Sequence, residues 1–408
     1  MTAISAADGR TLVRADTELS AALAALPAVQ QPQWGGHPVF ERARTLLRGL
    51  PALVTAAELD SVRGALAAVA EGEAALIQLG DCAESLHECT QRHTAEKLAV
   101  LDLVAAHTSY RLGLPVVRVG RIGGQFAKPR SHPTELFDGA ELPVFRGHLI
   151  NSEIATPAAR RHDPRRMLWA YEAGAKVAGW ARSHRDAAGS MDAAGTGPWT
   201  SHEALVIDYE SSLLRVDGET ATTILGSTHI PWVGDRTRQP DGALVRMLAA
   251  VRNPVACKVG PSASPANVLE LCRLLDPDRT PGRLTLIIRM GARTVAEALP
   301  PVVAAVRRAG HPVVWLCDPM HGNTVRASTG VKTRRLPDII HEAQSFRTVL
   351  ERRGLHPGGL HLEVAAAQVT ECVGGTVTDD DSLTTRYATL CDPRLNPDQA
   401  LELIDAWT

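Results

Sequence analysis

The sequence predicts an α/β fold, a closed TIM (β/α)8 barrel with an N-terminal helical extension. Three observations predict it. Eight short apolar runs recur along the chain, and runs buried on both faces mark parallel strands. Helical stretches separate most of them, which matches one closed barrel better than an open sheet. Six polar residues, Cys82, Arg121, Lys258, Arg289, His321 and Glu363, stand at or just past the C-terminal ends of these runs. A closed barrel gathers its chemistry at that end of its strands.

Residues 1–70 are expected to form the extension, packing on the barrel, and residues 71–408 the barrel itself. Residues 17–26 and 56–71, rich in Ala, Leu and Glu, read as helices, with a Pro- and Gly-containing breaker at 31–36. The strand candidates are 75–79, 115–120, 148–150, 228–233, 254–259, 284–289, 312–317 and 359–364. The third has the shortest apolar run. Residues 94–112, 265–275 and 295–309 read as helices between strands. Asn396 as N-cap, with Pro397 at the first helical position, opens a final helix that reaches Trp407. The stretch 185–200, with Gly, Ser, Asp and Ala, reads as a loop.

Composition excludes several function classes. Of 408 residues, 45% are hydrophobic and 22% charged; 43 Lys and Arg stand against 45 Asp and Glu, for a net charge of −2. The basic excess of a nucleic-acid binder is absent. No apolar run reaches the roughly 20 residues a membrane span needs. Residues 1–30 lack a basic start followed by an apolar stretch, so a cytoplasmic protein is expected. The cysteines are odd in number, scattered and without a CxxC pair, which argues against a disulfide framework or a structural zinc site.

The first strand runs into Gly80-Asp81-Cys82-Ala83-Glu84. Cys82 reads as a buried thiol in a tight turn or, as thiolate, as a ligand for a borderline-soft divalent metal. The second runs into Arg121-Ile122-Gly123-Gly124-Gln125-Phe126-Ala127-Lys128-Pro129-Arg130-Ser131. Here cations flank a double glycine that lets backbone approach an anion, and Arg grips phosphate through paired donors. A solvated basic loop is the competing reading. Gly234-Asp235-Arg236 repeats the arrangement. Lys258 and Arg289 end apolar strands, where a cation is costly unless an anion meets it. That anion is either a ligand or a structural Asp or Glu. His321 lies just beyond strand seven, and strand alternation puts His361 and Glu363 on one face of strand eight. Cys82, His321, Glu363 and Asp392 would make a sulfur, nitrogen and two-oxygen set suited to manganese, cobalt, iron or zinc.

These runs resemble the type II 3-deoxy-D-arabino-heptulosonate 7-phosphate (DAHP) synthases. So do Ser201-His202-Glu203-Ala204-Leu205, Cys317-Asp318-Pro319-Met320-His321-Gly322-Asn323-Thr324, Val369-Thr370-Glu371-Cys372 and Cys391-Asp392-Pro393-Arg394-Leu395-Asn396. The match runs in order from residue 31 to the C-terminus. It implies a TIM barrel with an N-terminal extension, and a condensation of phosphoenolpyruvate, D-erythrose 4-phosphate and water, the first step of the shikimate pathway. It implies that Cys82, His321, Glu363 and Asp392 hold a divalent metal, manganese or cobalt. Arg121, Asp235, Arg236, Lys258 and Arg289 match positions that bind phosphoenolpyruvate. Lys128, Arg130 and Ser131 match the loop that meets the phosphorylated aldehyde, and Lys128 and His321 are the nearest proton donors. A homo-oligomer, dimer or tetramer, with no nucleic-acid or membrane partner, is expected.

The sequence departs from the family pattern at four places. Asp235 stands where Glu is usual, and His148 where Asp is usual. Ala292-Arg293 replaces an Asn and a His, and Ala365-Ala366 replaces a Thr-Gly pair. The metal set is untouched, and an amino-sugar phosphate stays open as the aldehyde. A non-catalytic regulatory relative is the further alternative. The interval from Trp169 to Ser201 is short where longer members carry a regulatory helical insertion, so reduced or absent feedback control by aromatic amino acids is expected.

Overall fold

The computed structural model describes residues 12–13, 16–188 and 197–408. Eight parallel strands close into a barrel in sequential order. They are β1 Ala75–Gly80, β2 Val116–Arg121, β3 Trp199–Glu203, β4 Ile230–Val233, β5 Val255–Val259, β6 Leu284–Ile288, β7 Val314–Cys317 and β8 Gly359–Glu363. Nearly all of their residues are buried, as strands with side chains packed on both faces must be.

Helix α1, Ala56–Glu71, precedes the barrel and seals its floor. It starts cleanly because Thr55 and Glu58 form a reciprocal capping box, and it ends at Gly72 with φ +84°. Its buried face, with Val62, Ala65, Leu66 and Val69, packs on inward-facing residues of the strands such as Leu76, Val117, Trp232, Ile287 and Leu316. Helices Thr17–Ala24 and Phe40–Arg48 lie ahead of it; the second was not anticipated. The outer helices are α2 Gln91–Leu112, α3 Arg166–Ala188, α4 Ala243–Ala250, α5 Pro265–Leu275, α6 Val295–Arg308, α7 Leu336–Glu351 and α8 Pro397–Trp407. At the start of α8, Asn396 accepts from Gln399 N–H at 2.9 Å and Gln399 returns a bond to Asn396 N–H at 3.1 Å. No helix among the described residues is long and apolar enough to cross a membrane.

Seven of the eight strand predictions fall on barrel strands; the third does not. Residues 148–150 lie in a turn, and β3 is Trp199–Glu203. A search for apolar runs misses β3 because its partners are polar. Ser201 Oγ accepts from Gln78 across the barrel at 2.8 Å, and Thr200 Oγ1 bonds His229 at 2.8 Å. The loop expected over 185–200 is also shorter at both ends. Helix α3 carries the chain to Ala188, and Trp199 and Thr200 belong to β3; residues 189–196 lie outside the described residues.

Register levels the strand ends. Gly80 pairs with Arg121 on one side and with Glu363 on the other, so one rim of the mouth carries a guanidinium beside a carboxylate. Antiparallel hairpins follow β2 (Thr134–Phe137 with Ala140–Pro143) and β7 (Thr324–Arg326 with Lys332–Arg334). They flank the same mouth.

Candidate active site

The four residues expected to hold a metal meet at this mouth as two pairs bridged by a lysine. Cys82 Sγ lies 3.5 Å from Asp392 Oδ2, and His321 Nε2 lies 3.0 Å from Glu363 Oε1. Lys128 Nζ stands between them, 2.9 Å from Cys82 Sγ, 3.4 Å from Asp392 Oδ2 and 3.7 Å from Glu363 Oε1. Burial alone would depress Lys128, but Cys82, Glu363 and Asp392 outweigh it and hold the ammonium well above its ordinary value. The donor set therefore already surrounds a cation. Burial would raise both Asp392 and Glu363, yet nearby cations keep them ionised well below the carboxylate range: Lys128 at Asp392, and His321 with Arg334 at Glu363. Burial and the Glu363 charge push the Cys82 thiol up. A divalent ion would favour its thiolate.

The tautomer of His321 fits the same purpose. Asp318 is fully buried and held ionised by His321 and Lys258 against the pull of burial. It therefore only accepts, and His321 Nδ1 donates to it at 2.8 Å. Nε2 points at Glu363, 3.0 Å away, so an ion held there would meet a ring already oriented by Asp318, the carboxylate–histidine arrangement that orients metal ligands. A second group, His87, His148 and Glu153, brings its donor atoms within 4.8 Å of one another, but its tautomer is wrong for a metal. His148 Nδ1 accepts Leu86 N–H at 2.9 Å, so Nε2 carries the proton and donates to Glu153 at 2.5 Å. His148 thus accepts a backbone N–H much as the usual Asp at this place could.

The residues expected to bind phosphoenolpyruvate divide into two levels. Asp235, Arg236, Lys258 and Arg289 line one pocket of about 160 Å³ together with Glu203, His321, Asp392 and Lys128, the last expected instead at the aldehyde. Arg121 lies beneath it, 1% exposed, bonded to Glu363 at 3.1 Å and His361 at 3.0 Å. The acid partners that the sequence left open are present. Lys258 donates to Asp318 at 2.8 Å, and Arg289 to Asp235 at 3.1 Å and to the His321 carbonyl at 2.8 Å. Asp235 also accepts from Arg238 and from Gly260 N–H, both at 2.9 Å. Its side chain therefore braces Arg289. Arg130 and Ser131 border a separate cleft of about 710 Å³ that also holds Arg146 and Arg161. Ser131 Oγ accepts from Arg236 at 2.9 Å, joining the two sides.

The double glycine receives an anion from within the chain. Gly123, Gly124 and Gln125 donate their N–H groups to the Glu84 carboxylate at 2.9–3.1 Å. That nest shapes the loop leading to Lys128.

Sequence reasoning assigned no role to three further residues. Glu203 is 9% exposed and faces the smaller pocket, with Oε1 unpartnered and its acid form favoured by burial. It lies inside a quoted motif, so a strand-end reading of β3 would have found it. Asp318 also lay in a quoted run. Arg334, which grips Glu363 Oε2 at 2.7 Å, carries no local signal.

Comparison with known proteins agrees with this architecture. The model of the Class-II DAHP synthetase family matches residues 19–194 and 181–406. A probable phospho-2-dehydro-3-deoxyheptonate aldolase of Pseudomonas fluorescens is 46% identical over 383 residues, 93% of this chain and 94% of that protein. The phospho-2-dehydro-3-deoxyheptonate aldolase of Streptomyces coelicolor is 42% identical over 424 residues, again 93% of this chain and 94% of the relative. One from Mycolicibacterium smegmatis is 39% identical over 429 residues, 93% of this chain and 91% of the relative. The solved aldolase of that name from Francisella tularensis shares the fold at a TM-score of 0.51 and 11% identity, covering 90% of this chain and 97% of that one. Both the family match and the extent of these identities establish that the chain belongs to the class-II DAHP synthase family.

Proposed function

We propose that the protein is a DAHP synthase. It condenses phosphoenolpyruvate with D-erythrose 4-phosphate and water, releasing DAHP and inorganic phosphate at the entry to the shikimate pathway. The observation that carries this reading is the joining, at one barrel mouth, of a sulfur–nitrogen–oxygen donor set to a pocket walled by Lys258, Arg236 and Arg289.

Arg236, Lys258 and Arg289 hold the carboxylate and phosphate of phosphoenolpyruvate, with Arg121 beneath them. Arg130 and Ser131, at the larger cleft, take the phosphate of the aldehyde. Fixing both ends brings C3 of phosphoenolpyruvate against the aldehyde carbon, and this positioning supplies much of the rate gain. Water adds at C2, and phosphate leaves with cleavage of its C–O bond. Glu203, whose acid form burial favours, and the charged Lys128 are placed to supply protons or hydrogen bonds to the oxygens that gain charge. Cys82, His321, Glu363 and Asp392 would hold a manganese or cobalt ion, which when bound polarises the aldehyde as a Lewis acid. Residues 71–408 form the catalytic barrel, and residues 1–70 serve as an extension upon it. A homo-oligomer working in the cytoplasm completes the reading.

Loss of phosphoenolpyruvate absorbance on adding erythrose 4-phosphate, with and without chelator, tests the activity. Turnover that stops on chelation and returns with manganese or cobalt is expected; turnover indifferent to chelation would reject the metal. An amino-sugar phosphate run in parallel identifies the preferred aldehyde.

A further inference from the structure

Arg289 and His321 belong to different loops, after β6 and after β7, yet their relative position sets the distance between the anion pocket and the metal ligands. The two loops touch backbone to backbone. Gly291 has φ +86°, and a Cβ on Gly322 would fall 2.5 Å from Gly291 Cα. Behind the contact lies Glu342 on α7, fully buried and outside every motif discussed above. Its Oε1 accepts Met290 N–H at 2.8 Å and Gly291 N–H at 2.7 Å, immediately after Arg289. Its Oε2 accepts the Asn323 amide at 2.7 Å, two residues after His321. Asn323 closes the ring: its Oδ1 accepts Ala292 N–H and its amide also donates to the Pro319 carbonyl, both at 2.9 Å.

We propose that Glu342 is a positioning residue that clamps the β6 and β7 loops together and so sets Arg289 for phosphoenolpyruvate. Three neutral N–H donors satisfy the carboxylate, and no cation joins them in these bonds. Burial, reinforced by the Asp318 charge, raises it to about 7. A neutral or apolar side chain would cost less in a merely structural role. What the carboxylate offers is two oxygens that only accept, one for each loop. The inference rests on the proposed role of Arg289 as an anion ligand.

Polarity exchange tests it. Glu342→Gln keeps one acceptor for Met290 and Gly291 but sets its amide against the Asn323 amide, donor against donor. Adding Asn323→Asp turns that contact back into a donor–acceptor pair and leaves an oxygen for Ala292 N–H, giving up only the bond to the Pro319 carbonyl, which lies within the β7 loop. With kcat within a few-fold of wild type, KM for phosphoenolpyruvate should rise about tenfold in the single variant and return to within about threefold in the double. A single variant with wild-type KM, or a double variant no better than the single, overturns the proposal. If Glu342→Gln fails to fold, Asn323→Ala, which leaves Glu342 and its two backbone bonds in place, must show the same rise, and an unchanged KM overturns the proposal. Wild-type enzyme that consumes no phosphoenolpyruvate would overturn the reading of the site itself, a result distinct from an active enzyme indifferent to the clamp.

Discussion

Lys128 holds its ammonium among the donors of three residues expected to hold a metal. An entering cation must displace it, because like charges a few ångströms apart repel by several kcal/mol at an effective dielectric near 20 (on the order of 4 kcal/mol at 4 Å). Lys128→Met should therefore bind manganese at least about tenfold more tightly in a chelator competition without substrate, while turnover falls. Equal or weaker binding would show that the lysine and the ion do not compete. Cys82→Ala should lose both the metal and the turnover with the melting temperature little changed; a variant that keeps its manganese by elemental analysis would remove the thiolate from the ligand set. Glu203 gives a pH signature. Burial raises its pKa, so the protonated form persists above the ordinary carboxylate range and is lost as pH rises through the raised value. By linkage, the stability tied to that proton is full below the unfolded-state pKa and fades over the same rise. If Glu203 acts as the acid, kcat should fall on the alkaline side, and Glu203→Gln should lower kcat more than KM and erase that limb. An unchanged alkaline limb would assign it to another group.

Elements differ in how far their local sequence announces them. Helix α8 was legible to the residue because Asn396, Pro397 and Gln399 each do a capping task that depends only on local geometry. Strand β3 was not, because its side chains are satisfied by partners far along the chain, Gln78 and His229, and so need no apolar character. The same division runs through the site. Cys82, Lys258, Arg289 and Glu363 were legible because a polar group in or just past an apolar run demands a reason. Arg334 and Glu342 were not, because they approach from a hairpin and a helix whose own patterns are unremarkable. Helix α1 offers a test of what such an element contributes. Leu66 is fully buried against the barrel floor. Leu66→Ala should cost roughly 2–5 kcal/mol of stability through lost burial and a cavity, read as a fall in the denaturant midpoint. KM for both substrates should hold, since the floor lies at the opposite end of the strands from the site. A shift in KM without loss of stability would mean that the floor helix sets the geometry of the mouth.

At the scale of the whole molecule, control depends on what surrounds the barrel. Allosteric inhibition requires a second site whose ligand binds two states of the enzyme with different affinity. The interval from Trp169 to Ser201 is too short for the helical insertion that longer members of the family carry. Two findings agree with that. The family match falls into two segments that overlap between residues 181 and 194. The alignments to the Streptomyces and Mycolicibacterium relatives run over 424 and 429 positions while taking in 93% of a chain of 408 residues, so those relatives carry positions that this chain lacks. The expectation is that, without those helices, a regulatory ligand would lose walls of its pocket and with them the free energy that separates the two states. Phenylalanine, tyrosine and tryptophan, singly and in pairs at millimolar concentration, should therefore leave kcat and KM unchanged. Grafting the missing segment from the Streptomyces relative between Ala188 and Gly197 should be required before sensitivity appears. Inhibition of the native chain at sub-millimolar tryptophan or phenylalanine would refute this, and would direct the search to a pocket built by residues 1–70 or by the subunit contact of the proposed oligomer.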